Sequence, residues 1–174
     1  STPAMKDPRF DRVVVYLCGH DDKGAMGIIL NKYISDVTLN DILEQMELEH
    51  LDRNFNPNIL YGGPVEMGRG FVIHSNDVSH GSSVEIDPFA YLNGTTEMLE
   101  VCASPDRPHH CRFALGYTGW GVGQLEAELQ TNSWLVVDAD PDLIFAENTE
   151  DLWQRSMDKL GINPNLIINT SGHA

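Results

Sequence analysis

The sequence predicts an α+β fold, with a single domain over residues 1–174 built around a mixed β-sheet. Two apolar, β-branched runs at 13–18 and 25–31 flank a polar loop at 21–24, a pattern typical of a β-hairpin. Residues 38–48 open with a capping-box sequence and place apolar side chains at helical spacing, which predicts an amphipathic helix. Because strands and helices do not alternate regularly along the chain, a doubly wound βαβ fold is not expected.

Local patterns place the remaining elements. Both hairpin runs are almost continuously apolar, which favours strands covered on two faces and a central position in the sheet. Further strands are predicted at 59–61, 71–74, 84–86, 112–117 and 134–137. Three more helices, which make about four in all, are expected to begin near Thr95 or Thr96, Val122 and Thr149. The tail from Asn163 lacks periodicity and either frays or packs as a strap through Leu166, Ile167 and Ile168.

Charge and cysteine usage exclude several classes of protein. The chain carries 26 Asp plus Glu against 11 Lys plus Arg, a net charge of −15, and its basic residues are scattered. Such a surface repels a phosphate backbone, so direct nucleic-acid binding is not expected. The odd number of cysteines, the absence of a CxxC pair and the lack of an apolar leader indicate the reducing cytoplasm. No apolar run approaches the roughly twenty residues that cross a bilayer, so no membrane span is expected.

The run from Gly116 to Glu126, GYTGWGVGQLE, is the most unusual stretch of the chain. Its four glycines, set beside Trp120 and Gln124, indicate unusual backbone angles next to a large ring and a polar amide. One interpretation is a tight strand-to-helix turn with Trp120 as a core anchor. The other is a small-ligand or partner site that uses the start of the helix. A dinucleotide-binding loop is disfavoured, because Gln124 stands where that fingerprint requires glycine or alanine.

Cys18 and His20 end the first predicted strand, and period-two alternation would place both side chains on one face. With the predicted loop, His20 pairs with Ala25 and Cys18 faces Gly27, which leaves room above the sulfur. A neighbouring histidine can lower the pKa of a thiol, so Cys18 is a candidate reactive thiol, with an inert, buried cysteine as the alternative. A metal site would need a further ligand, and only His74 offers itself. His74 is otherwise a satisfied core histidine or a turn cap.

Seven blocks carry a family resemblance, and they follow one another in the family's order along nearly the whole chain. The blocks are PAMKDPRF (3–10), VVYLCGH (14–20), GAMGIILNK (24–32), GGPV (62–65), RGFVIH (69–74), the glycine-rich run (116–126) and GHA (172–174). On these blocks the chain resembles the AlgH/YqgE family. The segments at 66–68 and 105–111 depart from the family pattern.

The resemblance implies a compact, bacterial cytoplasmic protein with mixed β-sheets and intertwined sub-domains. It also implies a family without an agreed biochemical activity. The family's label as a transcriptional regulator rests on a genetic association, and the charge of this chain counts against direct contact with DNA. Regulation of an indirect kind is compatible with both observations.

The preferred hypothesis is a non-enzymatic regulatory or ligand- or partner-binding module, monomeric or weakly oligomeric, with no catalytic residue, cofactor or metal assigned. No GxSxG, HExxH, Walker or EF-hand pattern supports another class. The candidate binding residues are Cys18, His20, Asn31, Gly63, His74, Gly119, Trp120, Gly121 and Gln124. The expected partner is an unidentified protein or small molecule. The alternative hypothesis is a thiol-dependent enzyme or redox sensor that uses Cys18 with His20.

Overall fold

The computed structural model describes residues 1–78 and 80–163. The predicted strap through Leu166, Ile167 and Ile168 and the block at 172–174 lie outside the described residues. Within those ranges the strands are β1 (Val15–Asp21), β2 (Gly24–Ile29), β3 (Tyr33–Thr38), β4 (Asn58–Tyr61), β5 (Val65–Ser75), β6 (Val84–Asp87), β7 (Ala90–Asn93) and β8 (Cys111–Trp120). The helices are α1 (Leu39–Gln45), α2 (Thr96–Cys102), α3 (Gln124–Gln130), α4 (Pro141–Ile144) and α5 (Leu152–Lys159), after a 3₁₀ turn at Pro8–Phe10. These elements confirm the α+β class.

The described chain divides into two compact units that alternate along the sequence. Unit 1 joins Ser1–Asn31 to the described residues from Gly119 onward, and unit 2 is Lys32–Thr118, inserted between them. Strand β8 therefore begins in unit 2 and ends in unit 1. This division fits the intertwined sub-domains that the family resemblance implies, while a single domain over the whole chain stays a prediction.

In unit 1, β1 and β2 form the predicted antiparallel hairpin with a register that differs at one point. His20 pairs with Ala25 as expected, but Leu17 pairs with Gly27 in place of Cys18. The cause is a β-bulge at Cys18, which adds one unpaired residue to β1 and interrupts the side-chain alternation. The predicted pairing of Cys18 with Gly27 was wrong, and the alternation that placed Cys18 and His20 on one face does not hold.

The two strands of the hairpin differ in burial. Ile28 and Ile29 at the base of β2 are fully buried, whereas Leu17 on β1 is 41% exposed. Among the described strands β1 pairs with β2 alone, so it is an edge strand, and the prediction of a central, doubly covered hairpin was wrong. The reason for expecting room above the sulfur also fails, because Leu17 and not Cys18 faces Gly27.

The strand predicted at 134–137 does not form. Trp134 is buried, at 7% exposed, and packs edge-on against Trp120, whereas Val136 is 72% exposed. The segment at 134–137 buries one large ring and pairs with no described strand, so it has no hydrogen-bonded ladder to stabilise an extended conformation. Its β-branched residues therefore led to a wrong strand prediction. The short helix α4 that follows was not predicted. Asp140 caps its N-terminus, because the Asp140 carboxylate accepts a hydrogen bond from the amide of Leu143 at 2.9 Å.

Helices α1 and α5, each in its own unit, follow their sequence signals. At the start of α1 the amide of Thr38 donates to Asp41 Oδ2 at 2.7 Å, which is one half of the predicted capping box. Helix α5 begins at Leu152, three residues after the predicted Thr149, and buries Trp153 and Met157; Gly161 follows its end with a φ of +69°.

Unit 2 contains a mixed sheet, as predicted. Strand β4 is parallel to β8, β8 is antiparallel to β5, and β7 and β6 continue antiparallel beyond β5. Strands β3 and β7 were not predicted. Within β3, Asp36 has a φ of +59°, which interrupts the pairing of β3 with β4. The core that α1 and α2 share with these strands comprises Leu39, Leu43, Ile59, Val72, Met98, Leu99, Cys102, Ala103 and Phe113.

Glycines at two crossing segments let β4 and β8 approach closely. Leu60 and Ala114 are parallel partners, and just beyond them the backbone at Gly63 meets the backbone at Gly116. Gly63 has a φ of +151°, and a Cβ there would lie 2.3 Å from the carbonyl of Tyr117. Gly116 has a φ of +72°, and a Cβ there would lie 2.5 Å from the carbonyl oxygen of Gly63. Both positions therefore require glycine for steric and conformational reasons.

Replacing Gly63 by alanine should destabilise the protein by at least about 2 kcal/mol, because the side chain meets backbone and the φ value disfavours any Cβ. The measurement is the free energy of unfolding in urea, followed by far-UV circular dichroism. Gly81→Ala is the matched control in the same unit, since no atom lies within 4 Å of a Cβ at that position. Equal unfolding midpoints for the two variants would contradict the close crossing.

Candidate functional site

The glycine-rich run in unit 1 forms a strand-to-helix corner. Gln124 Oε1 accepts a hydrogen bond from the amide of Gly121 at 3.0 Å, which closes the turn between β8 and α3. Gly123 is the residue before α3 and has a φ of +70°, so the helix begins two residues later than predicted. Val122 at the tip of the turn is 76% exposed. The first interpretation of this run, a tight turn, describes its backbone.

The hairpin tip packs against this corner within unit 1. Gly24 has a φ of +137°, and a Cβ there would lie 2.2 Å from the carbonyl oxygen of Trp120. His20 Nε2 and Glu126 Oε1, the first on β1 and the second on α3, are 2.5 Å apart. Both side chains are more than a third exposed, so the pair contributes little to stability. The corner therefore gathers residues from β1, β2, β8 and α3.

Glu128 organises the buried side of the corner. Its Oε2 accepts hydrogen bonds from the indole nitrogens of Trp120, at 3.0 Å, and Trp134, at 2.6 Å. Its Oε1 accepts a hydrogen bond from Gln124 Nε2 at 2.9 Å, and the two indole rings pack edge-on with centroids 5.6 Å apart. Burial alone would raise the pKa of Glu128, but the hydrogen bonds from Gln124 and the two indoles outweigh it and lower the pKa. Glu128 is therefore a structural carboxylate that stays charged.

The two glutamates of α3 face different ways, as their spacing predicts. The pKa of Glu126 is lowered by the hydrogen bond from its own amide and by its contact with His20. Trp120 is only 7% exposed and its single polar group is occupied by Glu128. These contacts give Trp120 an architectural part, and the binding role of Gly119, Trp120, Gly121 and Gln124 stays a prediction.

The Cys18 thiol and the His20 imidazole each contact a group other than the other's side chain. The Cys18 thiol donates to the carbonyl oxygen of Tyr16 at 3.3 Å, and the His20 imidazole contacts Glu126. A thiol that donates to a carbonyl is stabilised in its protonated form, which opposes thiolate formation. Redox or catalytic use of Cys18 stays a prediction.

The other candidate residues have structural contacts. The Asn31 side chain binds the backbone just before β1. Its Oδ1 accepts a hydrogen bond from the amide of Val14 at 2.9 Å, and its Nδ2 donates one to the carbonyl of Arg12 at 2.8 Å. Gly63 belongs to the backbone crossing of unit 2. These positions follow from the packing of each unit alone, and no ligand is needed to explain them.

His74 lies in unit 2 and is completely buried. Its Nδ1 donates to the carbonyl of Ser75 at 2.9 Å, its Nε2 accepts from the hydroxyl of Ser83 at 2.9 Å, and its ring stacks on Tyr91. Burial lowers the pKa of His74 and outweighs the opposing hydrogen bond to Ser75, so the ring is neutral. Because both nitrogens are engaged, His74 is a satisfied core histidine and is not disposed as a metal ligand.

Unit 2 holds a cavity of about 310 Å³ that the sequence did not predict. Leu39, Ile59, Val72 and Phe113 form a buried apolar floor. The full lining is Leu39, Ile42, Gln45, Met46, Ile59, Gly68, Gly70, Phe71, Val72, Gly94, Thr95, Thr96, Leu99, Phe113, Ala114 and Leu115. None of these sixteen residues carries a charged side chain, and the polar side-chain groups among them are one amide and two hydroxyls.

Glycines on β5 keep the cavity open. A Cβ at Gly68 would meet no atom within 4 Å, and a Cβ at Gly70 would meet only Leu115 Cδ2, at 4.0 Å. Neither position has a positive φ that would require glycine. Glycine inside a strand marks a bulge or the close approach of a ligand, so the pair was the sequence signal for this cavity.

Two properties of the described residues bear on other classes of site. No three His, Cys, Asp or Glu side chains converge there in a way that would hold a metal ion. No helix in the described part is long and apolar enough to cross a membrane.

Two solved structures share this α+β fold. The solution structure of the AlgH protein from Pseudomonas aeruginosa matches all of this chain and 92% of its own, with a TM-score of 0.80 and 36% identity. A crystal structure of a protein from Corynebacterium diphtheriae covers 94% of this chain and 85% of its own, with a TM-score of 0.74. At 19% identity it shows the shared fold alone.

Sequence comparison identifies the family. The AlgH-like family profile matches residues 1–165. A UPF0301 protein of Rhodospirillum rubrum is 41% identical over 172 residues, which span 99% of this chain and 90% of the relative. A UPF0301 protein of Methylocella silvestris is 44% identical over 180 residues, 99% of this chain and 87% of the relative. The chain belongs to the AlgH-like family, and the resemblance found from its seven blocks is confirmed.

Glu128→Gln should weaken unit 1 by about 1–3 kcal/mol at neutral pH, because two buried indole donors lose a charged acceptor. The lowered pKa of Glu128 in the folded state means that this stabilisation is complete above the ordinary pKa of about 4.3 and is lost as pH falls through the lowered value. The difference between wild type and variant should therefore shrink in acid. Urea unfolding followed by tryptophan fluorescence measures it, since Trp120, Trp134 and Trp153 all lie in unit 1.

Glu126→Gln is the matched control for this measurement, because Glu126 lies on the same helix but is exposed and accepts from no indole. It should change the free energy of unfolding by less than about 0.5 kcal/mol. A Glu128→Gln variant as stable as Glu126→Gln at neutral pH would overturn the structural role of Glu128.

Cys18 should react with iodoacetamide no faster than glutathione does at the same pH, because its thiol donates to a carbonyl. The rate is measured by mass spectrometry in a Cys102→Ala/Cys111→Ser background, in which Cys18 is the remaining cysteine. Alkylation much faster than that of glutathione would instead support the thiol-dependent hypothesis.

Proposed function

We propose that this protein is a non-enzymatic binding module, and that its ligand is an uncharged, mainly apolar small molecule held in the cavity of unit 2. The observation that carries the proposal is the cavity itself, about 310 Å³ in volume, with an apolar floor and an opening beside two glycines. Small-molecule sites in proteins are typically clefts of about 300–1,000 Å³ with apolar walls and a few polar groups.

The cavity is an open cleft, since Gln45, Gly68 and Gly70 at its edge are exposed while its apolar floor is buried. At Gly68 and Gly70 the backbone would accept a side chain, and that side chain would reduce the opening without a clash. A space left open at two positions where closure is sterically allowed supports occupation by a ligand.

The lining restricts the chemistry of the ligand. Burying a charge without a partner is strongly unfavourable, and no lining side chain carries a compensating charge. Gln45, Thr95 and Thr96 supply hydrogen-bonding groups, and the first and last of these are exposed at the rim. The best-matched ligand is therefore neutral, with an apolar body inside and a polar group directed outward.

The same lining supports binding in preference to catalysis. It includes no carboxylate, imidazole, thiol or amine, so it offers no general acid, general base or strong nucleophile to a bound molecule. A regulatory role would act through the ligand or through a protein partner, because a net charge of −15 opposes contact with DNA. Three cysteines without a disulfide are in keeping with a cytoplasmic setting.

The test uses N-phenyl-1-naphthylamine, a neutral dye whose fluorescence rises in apolar surroundings. Wild-type protein should bind the dye saturably, and Gly70→Leu, which places a side chain against Leu115 in the cavity, should weaken binding by at least about ten-fold. Gly81→Leu is the matched control, because Gly81 lies in the same unit, outside the lining, with no atom within 4 Å of its Cβ. That variant should bind as wild type does.

Gly70→Leu should leave the melting temperature unchanged or raise it, because it fills apolar space. Dye binding that is absent from wild type, or equal in the two leucine variants, would contradict the proposal. The melting temperature separates loss of the cavity from loss of the fold.

A further inference from the structure

Two thiols in unit 2 face each other at the ends of α2 and β8. The Sγ atoms of Cys102 and Cys111 are 3.3 Å apart, and neither cysteine is in a disulfide. Cys102, the last residue of α2, is completely buried, whereas Cys111, the first residue of β8, is partly exposed. The hypotheses drawn from the sequence concerned Cys18 and gave this pair no part.

The chain around the pair is fixed by its own contacts. The carbonyl of Ala103, directly after Cys102, accepts hydrogen bonds from the amides of Leu51 and Asp52 at 3.2 and 3.1 Å. Arg107, in the segment between the cysteines, forms an ion pair with Asp52 at 2.7 Å. The two sulfurs are thus held together by ordered backbone on both sides. They need approach by only about 1.3 Å to reach the length of a disulfide bond.

We infer that Cys102 and Cys111 form a reversible disulfide by exchange with low-molecular-weight disulfides. The sulfur of Cys111 loses its proton and attacks one sulfur of the small disulfide, so a mixed disulfide forms and one small thiolate leaves. The sulfur of Cys102 loses its proton, attacks the Cys111 sulfur and displaces the second small thiolate. The leaving groups take up the two protons. Two protein thiols are oxidised and one small disulfide is reduced to two thiols.

Burial assigns the order of the two steps. Only Cys111 has surface through which an external disulfide can approach, so Cys102 acts as the resolving thiol. The pKa of Cys111 is raised above its usual range, first by its contact with the Cys102 thiol and then by burial, against the opposing charge of Arg107. Thiolate is therefore scarce in the reduced pair, and exchange is slow. Sustained oxidising conditions, not brief ones, drive the reaction.

The disulfide would also act on the cavity. Leu99 on α2 and Phe113 on β8 both line it, three and two residues from the cysteines that the bond would join. Oxidation would fix these two walls relative to each other. This consequence rests on the proposed function, whereas formation of the disulfide does not.

The experiment equilibrates the protein with 2-hydroxyethyl disulfide and 2-mercaptoethanol in varied ratio, since a neutral reagent is not repelled by the acidic surface. Samples are quenched in acid, alkylated with N-ethylmaleimide and analysed as intact protein and as peptides. Wild type should change from three maleimide adducts to one as the ratio rises, with Cys102 and Cys111 linked in one peptide pair. Dithiothreitol should restore all three adducts.

Three variants make the result specific. Cys18→Ser should keep the transition and lose one adduct throughout, whereas Cys111→Ser and Cys102→Ala should each abolish the linked peptides. Cys111→Ser tests the assignment even if the buried Cys102→Ala variant fails to fold. A wild-type protein that keeps three adducts at the most oxidising ratio, or that retains a stable mercaptoethanol adduct on Cys111, overturns the inference.

Dye binding to the oxidised and reduced protein separates this inference from the proposed function. Oxidation should change the affinity for N-phenyl-1-naphthylamine by several-fold. If neither form binds the dye, the proposed function fails while the disulfide result stands. If the dye binds and the linked peptides are absent, the inference fails while the proposed function stands.

Discussion

The close crossing of backbone at Gly63 and Gly116 is the constraint on which unit 2 depends. Because neither glycine has a side chain, the two backbones can approach closely and β4 can pair in parallel with β8. That pairing places Ile59 beside Phe113 in the shared core. Strand β8 then continues into unit 1, where its last residues meet the hairpin. A single strand therefore sets the cavity wall in one unit and the glycine-rich corner in the other.

The constraint in unit 1 is different: two indole rings are buried, and the N–H group of each needs a hydrogen-bond acceptor. Glu128 serves Trp120 and Trp134 together, and its remaining oxygen accepts from Gln124. Most of the unusual residues in the glycine-rich run are explained by this arrangement and by the turn before α3. The contacts of this run are those of a structural corner, and its use as a small-ligand or partner site stays a prediction. The best candidate for binding lies in the other unit, among residues with no distinctive chemistry.

Local signals in the sequence predicted the hairpin and the start of α1, because capping and periodicity act over a few residues. The register of the hairpin was harder to predict from the sequence, since the bulge at Cys18 depends on how β1 pairs with β2 and not on the composition of either strand. Strand β3 was missed because Asp36 adopts a left-handed conformation that breaks its pattern. Gly68 and Gly70 were a sequence signal for the cavity, but its outline could not be predicted, because its lining comes from five elements that only the fold brings together. The family, by contrast, was accessible from blocks of sequence alone, which need no model of packing.

The bulge at Cys18 also bears on how the protein avoids binding to itself. An edge strand offers unpaired amides and carbonyls to any other strand, and β1 carries an exposed leucine that would favour such pairing. The extra residue interrupts the ladder near the middle of β1, and the strand ends in two aspartates at the hairpin tip. A second strand could pair with only a few residues on either side of the interruption. The bulge at Cys18 is thus well suited to keeping β1, the edge strand among the described strands, from aggregating.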